Sequence, residues 1–167
     1  MIRCSLCAHL AAAWLAALGL QAPPAAGAEN SAPKLPRFVS LRSDDINLRV
    51  GPGRTYPIEW VLTRKDMPVE IVEEFEDWRR VQLWNDTRGW VLDRMVTGDR
   101  HVVVSGTVRA IHRRSDAASG LVARAEPGVV ARLLACQGDW CRIESGGYQG
   151  WVKRGDVWGV LPGETFP

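Results

Sequence analysis

"EDWRRVQLWNDTRGWVLDRM" (Glu76–Met95) and "GDWCRIESGGYQGWVKRGDV" (Gly138–Val157) are two versions of one pattern. Asp77-Trp78 matches Asp139-Trp140, Val81 matches Ile143, and Gly89-Trp90-Val91 matches Gly150-Trp151-Val152. The second copy has lost one residue from the loop between. Upstream, "TRKDMPVEIVEEF" (Thr63–Phe75) matches "AEPGVVARLLACQ" (Ala125–Gln137), a turn followed by an alternating strand. An internal repeat of this kind decides the architecture. It divides the chain into two units, 37–98 and 101–161. Each is roughly sixty residues, close to the smallest size at which a core stands alone.

Neither copy carries a helical period. Runs such as "PVEIVEEF", "RRVQLW", "HVVVSG" and "VVARLLAC" are β-branched and are broken by Gly, Pro, Asn and Asp. That pattern predicts several short strands per unit and an all-β fold of two small barrels. A single 3₁₀ turn is expected at Asp93–Met95 and again at Arg154–Asp156. In the strand after each Asp-Trp, Trp78, Arg80 and Gln82 share one face, and Arg79, Val81 and Leu83 the other. The Val81 face is the expected core, so Trp78 and Trp140 are expected to point toward a groove or solvent.

The N-terminus predicts export. An apolar run, Leu10–Leu20, leads to the small-residue site Ala26-Gly27-Ala28, the pattern of a signal peptide over 1–28 cleaved before Glu29. The run is short for a membrane span, and Cys4 and Cys7 precede it where a lipid-bearing cysteine would follow. No stable membrane anchor is therefore expected, and the chain is placed in the periplasm or outside the cell. A flexible leader, 29–36, and a C-terminal tail, 162–167, flank the two units. Once Arg3 is removed, the 21 Lys and Arg become 20 against 19 Asp and Glu, a balance that gives no case for a nucleic-acid partner.

The two cysteines left, Cys136 and Cys141, form an even pair in an oxidising compartment, which predicts a disulfide. A redox pair is normally C-x-x-C, and no further soft ligands lie nearby to complete a metal site. No metal and no cofactor are expected. Aligned on Asp-Trp, Cys136 falls on Glu74 and Cys141 on Arg79. Opposite charges in place of two thiols are what cross-strand neighbours would show. The register drawn from this pairing sets Leu134 opposite Ile143 and Val72 opposite Val81. The Glu74–Arg79 pair is expected to be exposed.

"INLRVGPGRTYP" (Ile46–Pro57), "MPVEIVEEFEDWRRV" (Met67–Val81) and "GWVLDRM" (Gly89–Met95) together resemble three motifs of the bacterial Src-homology-3-like domain. The second unit lacks the Asn-Leu-Arg and Gly-Pro-Gly elements and resembles the family through its C-terminal half. The resemblance implies two SH3-like barrels in tandem and a non-enzymatic module that binds a peptide or peptidoglycan fragment. The alternative it allows is a scaffold or regulatory subunit that docks an envelope enzyme. It puts Trp78 in a ligand groove with Tyr56 as its aromatic neighbour, and Trp140 in the matching place of the second unit; the alternative is that each tryptophan caps its small barrel by stacking on an adjacent loop. Trp84, alone on a loop, is a further binding candidate. Arg49 either meets a ligand carboxylate or is satisfied by carbonyls of its own loop. Trp90 and Trp151, each after a glycine that allows close backbone approach, are expected to be structural. Trp60 is expected in core or edge packing.

No catalytic group is expected. The carboxylates of Glu73–Asp77 sit on a hairpin tip, whereas glycoside hydrolysis needs two across a cleft. His101 and His112 are the only histidines after the leader, and no Cys-His arrangement accompanies them. The oligomeric state is not legible.

Overall fold

The computed structural model describes residues 34–167. The signal peptide expected over 1–28, with Cys4 and Cys7, and the leader residues 29–33 lie outside the described residues. Within them are fourteen strands, two 3₁₀ turns and no α-helix. The first unit holds β1 (Arg37–Leu41), β2 (Ile46–Arg49), β3 (Ile58–Leu62), β4 (Pro68–Phe75), β5 (Trp78–Gln82), β6 (Arg88–Leu92) and β7 (Val96–Thr97). The second holds β8 (His101–Val104), β9 (Arg109–His112), β10 (Leu121–Ala125), β11 (Val130–Gln137), β12 (Trp140–Ser145), β13 (Tyr148–Lys153) and β14 (Val157–Trp158). Each set forms one antiparallel sheet, in the order β3-β2-β6-β5-β4-β1-β7 and then β10-β9-β13-β12-β11-β8-β14. The two orders correspond strand for strand, so the repeat in sequence is a repeat in fold. The expected turns close each unit, at Asp93–Met95 and Arg154–Asp156.

Alternation builds the cores. Leu48, Val69, Ile71, Val81, Leu83 and Val91 meet inside barrel one, and Val102, Ile111, Leu133, Cys136, Cys141 and Ile143 inside barrel two. The register differs from the expected one. Ile71 faces Val81 and Leu133 faces Ile143, while Val72 and Leu134 are extra residues at a bulge in β4 and β11. The reason is phase. Strict alternation would send Leu133 and Cys136, three residues apart, to opposite faces. One inserted residue inverts the phase and lets both point into the core as the long strand bends. Beyond the bulge the predicted pairing holds, with Glu74 opposite Arg79 and Cys136 opposite Cys141. The cysteines form a disulfide, and both are fully buried.

The Glu74–Arg79 pair is not the exposed contact expected. Glu74 lies 2.6 Å from Arg37 and 3.2 Å from Arg79, and Arg79 also reaches Asp93 at 3.1 Å. The group is half-buried because β1 brings Arg37 over the hairpin from the opposite side. Barrel two covers the corresponding place with its tail. Phe166 and Cys136 exchange both backbone hydrogen bonds, and Glu164 binds Arg100 at 2.5 Å. Burial alone would raise the Glu164 pKa, but hydrogen bonds from Arg100 and the Leu161 N–H, with the charges of Arg100 and Arg154, hold it below the usual value. The leader also departs from expectation at its end, since Leu35 packs against core one.

Two glycines carry the close approach predicted for them. A Cβ on Gly89 would lie 2.5 Å from the Leu48 side chain, and one on Gly150 2.5 Å from Ile111 and 2.7 Å from the His112 carbonyl oxygen. Backbone cannot yield as a flexible side chain can. Gly150→Ala is therefore expected to lower stability by about 1–3 kcal/mol, read as an earlier urea midpoint. An unchanged midpoint would mean that β13 can move off β9 freely.

Residues 33–167 make one compact unit. Between the barrels, the Phe38 and Trp158 rings meet edge to face at 4.8 Å, and Ser40 Oγ lies 3.0 Å from His101 Nδ1. The Arg100 guanidinium sits 5.9 Å from the Phe38 ring and 5.5 Å from that of Phe166.

Candidate functional site

Three elements of barrel one converge on a cleft. β2 brings Asn47 and Arg49, the residue before it is Asp45, and the loop after it brings Arg54. The start of β5 gives Trp78, and the end of β6 with its 3₁₀ turn gives Leu92, Arg94 and Met95. A backbone bond from Asp93 N–H to the Asp77 carbonyl, 2.8 Å, ties the turn to the β4–β5 hairpin and fixes the cleft's width. The hollow measures about 220 Å³ and adjoins a second of about 310 Å³ that shares Arg54, Leu92 and Arg94 and adds Asp77 and Asp93.

Trp78 is the floor of this cleft. It lies on the face away from core one, as alternation predicts, but it is only 8% exposed. It lines a groove, as expected, but its ring is almost wholly covered, as in the alternative in which it caps the barrel. Arg49 lines the same cleft, and its Nη1 donates to the Tyr56 carbonyl at 2.6 Å. That is the loop-satisfied reading of Arg49, in a side chain that also lines the cleft. Arg54 and Arg94, both exposed, make no ion pair among the described residues. Sequence reasoning missed both. Arg54 stands inside the "GPGRTYP" motif and Arg94 inside "LDRM", so the signal was two unpaired arginines within motifs already singled out.

Tyr56 does not join Trp78. Its ring lies on Gly51 and Gly53, where a Cβ would come within 2.5 Å and 3.2 Å of it, so those glycines serve the tyrosine. Trp84 is 53% exposed and sits two residues beyond the far end of β5. At about 3.3 Å per residue the length of the strand alone separates it from Trp78 by about 13 Å. Trp84 is therefore not part of the cleft. Trp60 is 57% exposed on the edge strand β3 and packs into no core, because both faces of that strand beyond Leu62 are open.

Barrel two has the corresponding hollow, lined by Ala117, Asp139, Trp140, Lys153, Arg154, Gly155 and Asp156. Its chemistry differs. His112 takes the place of Arg49, since it pairs with Trp151 as Arg49 pairs with Trp90, and its ring meets Trp140 edge-on at 5.5 Å. Gly155 stands where barrel one has Arg94. Arg154 donates to the carbonyls of Gly138, Leu161 and Glu164, so the tail consumes it. Trp140 is half-buried beneath this arrangement.

The model of the family described as bacterial SH3 domain matches this chain twice, at residues 42–98 and 107–159. Over 124 residues the chain is 24% identical to a protein of Bacillus subtilis (strain 168) named "Putative N-acetylmuramoyl-L-alanine amidase YrvJ", covering 68% of this chain and 24% of that protein. The chain thus spans about a quarter of that relative's length. Among solved structures it is similar to NlpC2 from Trichomonas vaginalis, with 13% identity, a TM-score of 0.34, and coverage of 74% of this chain and 48% of that one. It is also similar to an NlpC/P60 family protein from Bacillus cereus ATCC 10987, with 12% identity, a TM-score of 0.32, and coverage of 72% and 55%.

Proposed function

We propose that this chain, which belongs to the bacterial SH3 domain family in two copies, is an exported, non-enzymatic module that holds a cell-wall peptide in the cleft of barrel one. The carrying observation is that Arg49, Arg54 and Arg94 line one cleft with Trp78, with Asp45 and Asp77 beside them. Guanidinium forks match carboxylate geometry, and flanking carboxylates suit an amine. A short peptide with a free carboxylate and an amino group, the chemistry of a peptidoglycan stem peptide, answers to both signs. A relative named as an N-acetylmuramoyl-L-alanine amidase supports the same polymer. The buried disulfide suits an oxidising compartment and so supports export.

The fate of the reactive side chains supports a binding role. Ser40 and His101 have the spacing of a nucleophile and its base, yet Ser40 is fully buried between the barrels, out of a substrate's reach. His112 is held by the Ser119 carbonyl and Trp140. Barrel two has His112 and Gly155 in place of two of these arginines, so its corresponding hollow lacks the carboxylate-binding set of barrel one.

Calorimetric titration with a soluble muropeptide tests the reading. Heat of binding is expected for the natural chain, and Arg94→Ala is expected to weaken it about tenfold, the loss of one charge-assisted hydrogen bond. Arg94 is exposed, so the variant keeps its fold. Absence of heat from the natural chain, or equal affinity in the variant, removes the proposal. One observation favours the scaffold reading instead: Ile58, Trp60 and Val61 are all exposed on edge strand β3. Cross-linking in cells that captures an envelope protein, with no muropeptide heat, would decide for it.

A further inference from the structure

Barrel two contains an apolar cavity of about 130 Å³ that opens to solvent beside edge strand β10. Ile111, Ala131 and Ile143, all buried, form its floor, and the exposed Arg124 and Tyr148 stand at its mouth. Barrel one explains why it exists. The registers make Ala125 the counterpart of Leu62, each facing the second strand's first residue, and Ala131 the counterpart of Val69. Ser145, one step past the Glu144–Gln149 pair, corresponds to Leu83, one step past Gln82–Arg88. In barrel one those larger side chains belong to the packed core. Barrel two has the same backbone around smaller residues, and the missing volume is aliphatic. Ser145 Oγ donates to the Val130 carbonyl, so its hydroxyl asks nothing of the space.

We infer that this cavity is a binding site for one branched aliphatic side chain, leucine or isoleucine, presented by an extended peptide segment of a partner protein. Three observations define that occupant. The volume is close to the roughly 150 Å³ of cavities that stay dry and take up benzene, so it fits one side chain and not a long acyl tail. The chain's own solution in barrel one is a leucine at this place. The mouth adjoins β10, whose outer edge is unpaired and can add a strand while alternate side chains drop inward. The site shares no residue with the cleft of barrel one and stands or falls independently of it.

The test uses the whole exported chain, labelled at its methyl groups for NMR. The peptide acetyl-Thr-Leu-Thr-amide is titrated to millimolar concentration beside acetyl-Thr-Ala-Thr-amide. The leucine peptide is expected to shift the Ile111, Val129 and Ile143 methyls, with the alanine peptide at least tenfold weaker. Ser145→Leu, which restores barrel one's packing, is expected to abolish the shifts and raise the melting temperature by a few degrees. Equal responses to the two peptides, no methyl response to leucine, or full binding in Ser145→Leu would each overturn the proposal. Should Ser145→Leu fold poorly, Ala131→Val serves as the second filling variant, with the same expectation. Decanoate displacing the leucine peptide would overturn the peptide as occupant and assign the cavity to a lipid.

Discussion

Trp78→Ala is expected to cost barrel one about 3–5 kcal/mol, the range for emptying a buried large aromatic site. The urea midpoint should fall steeply, and barrel one should melt first. An indole that merely lined an open groove would be removed at little cost. The difference follows from burial: Trp78 is 8% exposed, in the wall of the cleft it shares with Arg54 and Arg94. Loss of ligand binding in this variant therefore says nothing about contact with a ligand, and the exposed Arg94 is the residue to alter for that purpose. Trp78→Phe keeps most of the apolar area and is the informative companion. A midpoint in Trp78→Ala within about 0.5 kcal/mol of the natural value, the scatter for ordinary surface substitutions, would show that the roof collapses into the space at no cost.

The second large effect belongs to the disulfide. Cys136→Ser with Cys141→Ser is expected to cost barrel two about 2–5 kcal/mol. The closed loop is short, so chain entropy accounts for only about 2 kcal/mol of that. The rest comes from burial, because both sites are fully inaccessible and a hydroxyl without a partner there costs about 1–3 kcal/mol. Cys136→Ala with Cys141→Ala separates the two terms and should recover part of the loss. The tail should loosen as well, since Cys136 carries both backbone hydrogen bonds to Phe166. Hydrogen exchange at the Phe166 amide reads this directly. Unfolding curves that match with and without reductant would refute the brace, and so would two free thiols in the oxidised, unfolded chain prepared without residues 1–28.

Barrel one places an acid and a base where barrel two places the thiols, and the comparison explains why each copy keeps what it has. Glu74 and Arg79 gain a third and fourth partner, Arg37 and Asp93, so the half-buried charges are matched. In barrel two the tail passes over the same hairpin as Phe166, an apolar neighbour, and the charges beside it, Arg100 and Glu164, are already paired with each other. A covalent, apolar brace is the arrangement that tolerates that cover.

Features that depend on neighbours along the chain or directly across a ladder were legible in the sequence. The repeat, the all-β class, the two 3₁₀ turns, the Glu74–Arg79 and Cys136–Cys141 pairings and the need for glycine before Trp90 and Trp151 all follow from alternation and from comparing one copy with the other. The first error, the register of Val72 and Leu134, arose where a bulge breaks alternation, and only the bend of a strand around a closed core demands a bulge there. What alternation could not give is what lies over a strand's outer face. Trp78, Trp84 and Trp60 are alike as letters beside strands. One is buried in the wall of a cleft, one stands beyond the strand's far end and one lies on an open edge, and those differences depend on segments far away in sequence. The same holds for Arg54 and Arg94, brought together by the Asp93–Asp77 bond, and for the cavity of barrel two, which exists only where several shortened side chains meet across different strands. Sequence by itself determined the two barrels and their brace, because strand pairing is local and repeats. Tertiary structure decided which surfaces can bind, because a cleft or a cavity is made by residues whose only relation is that the fold brings them together.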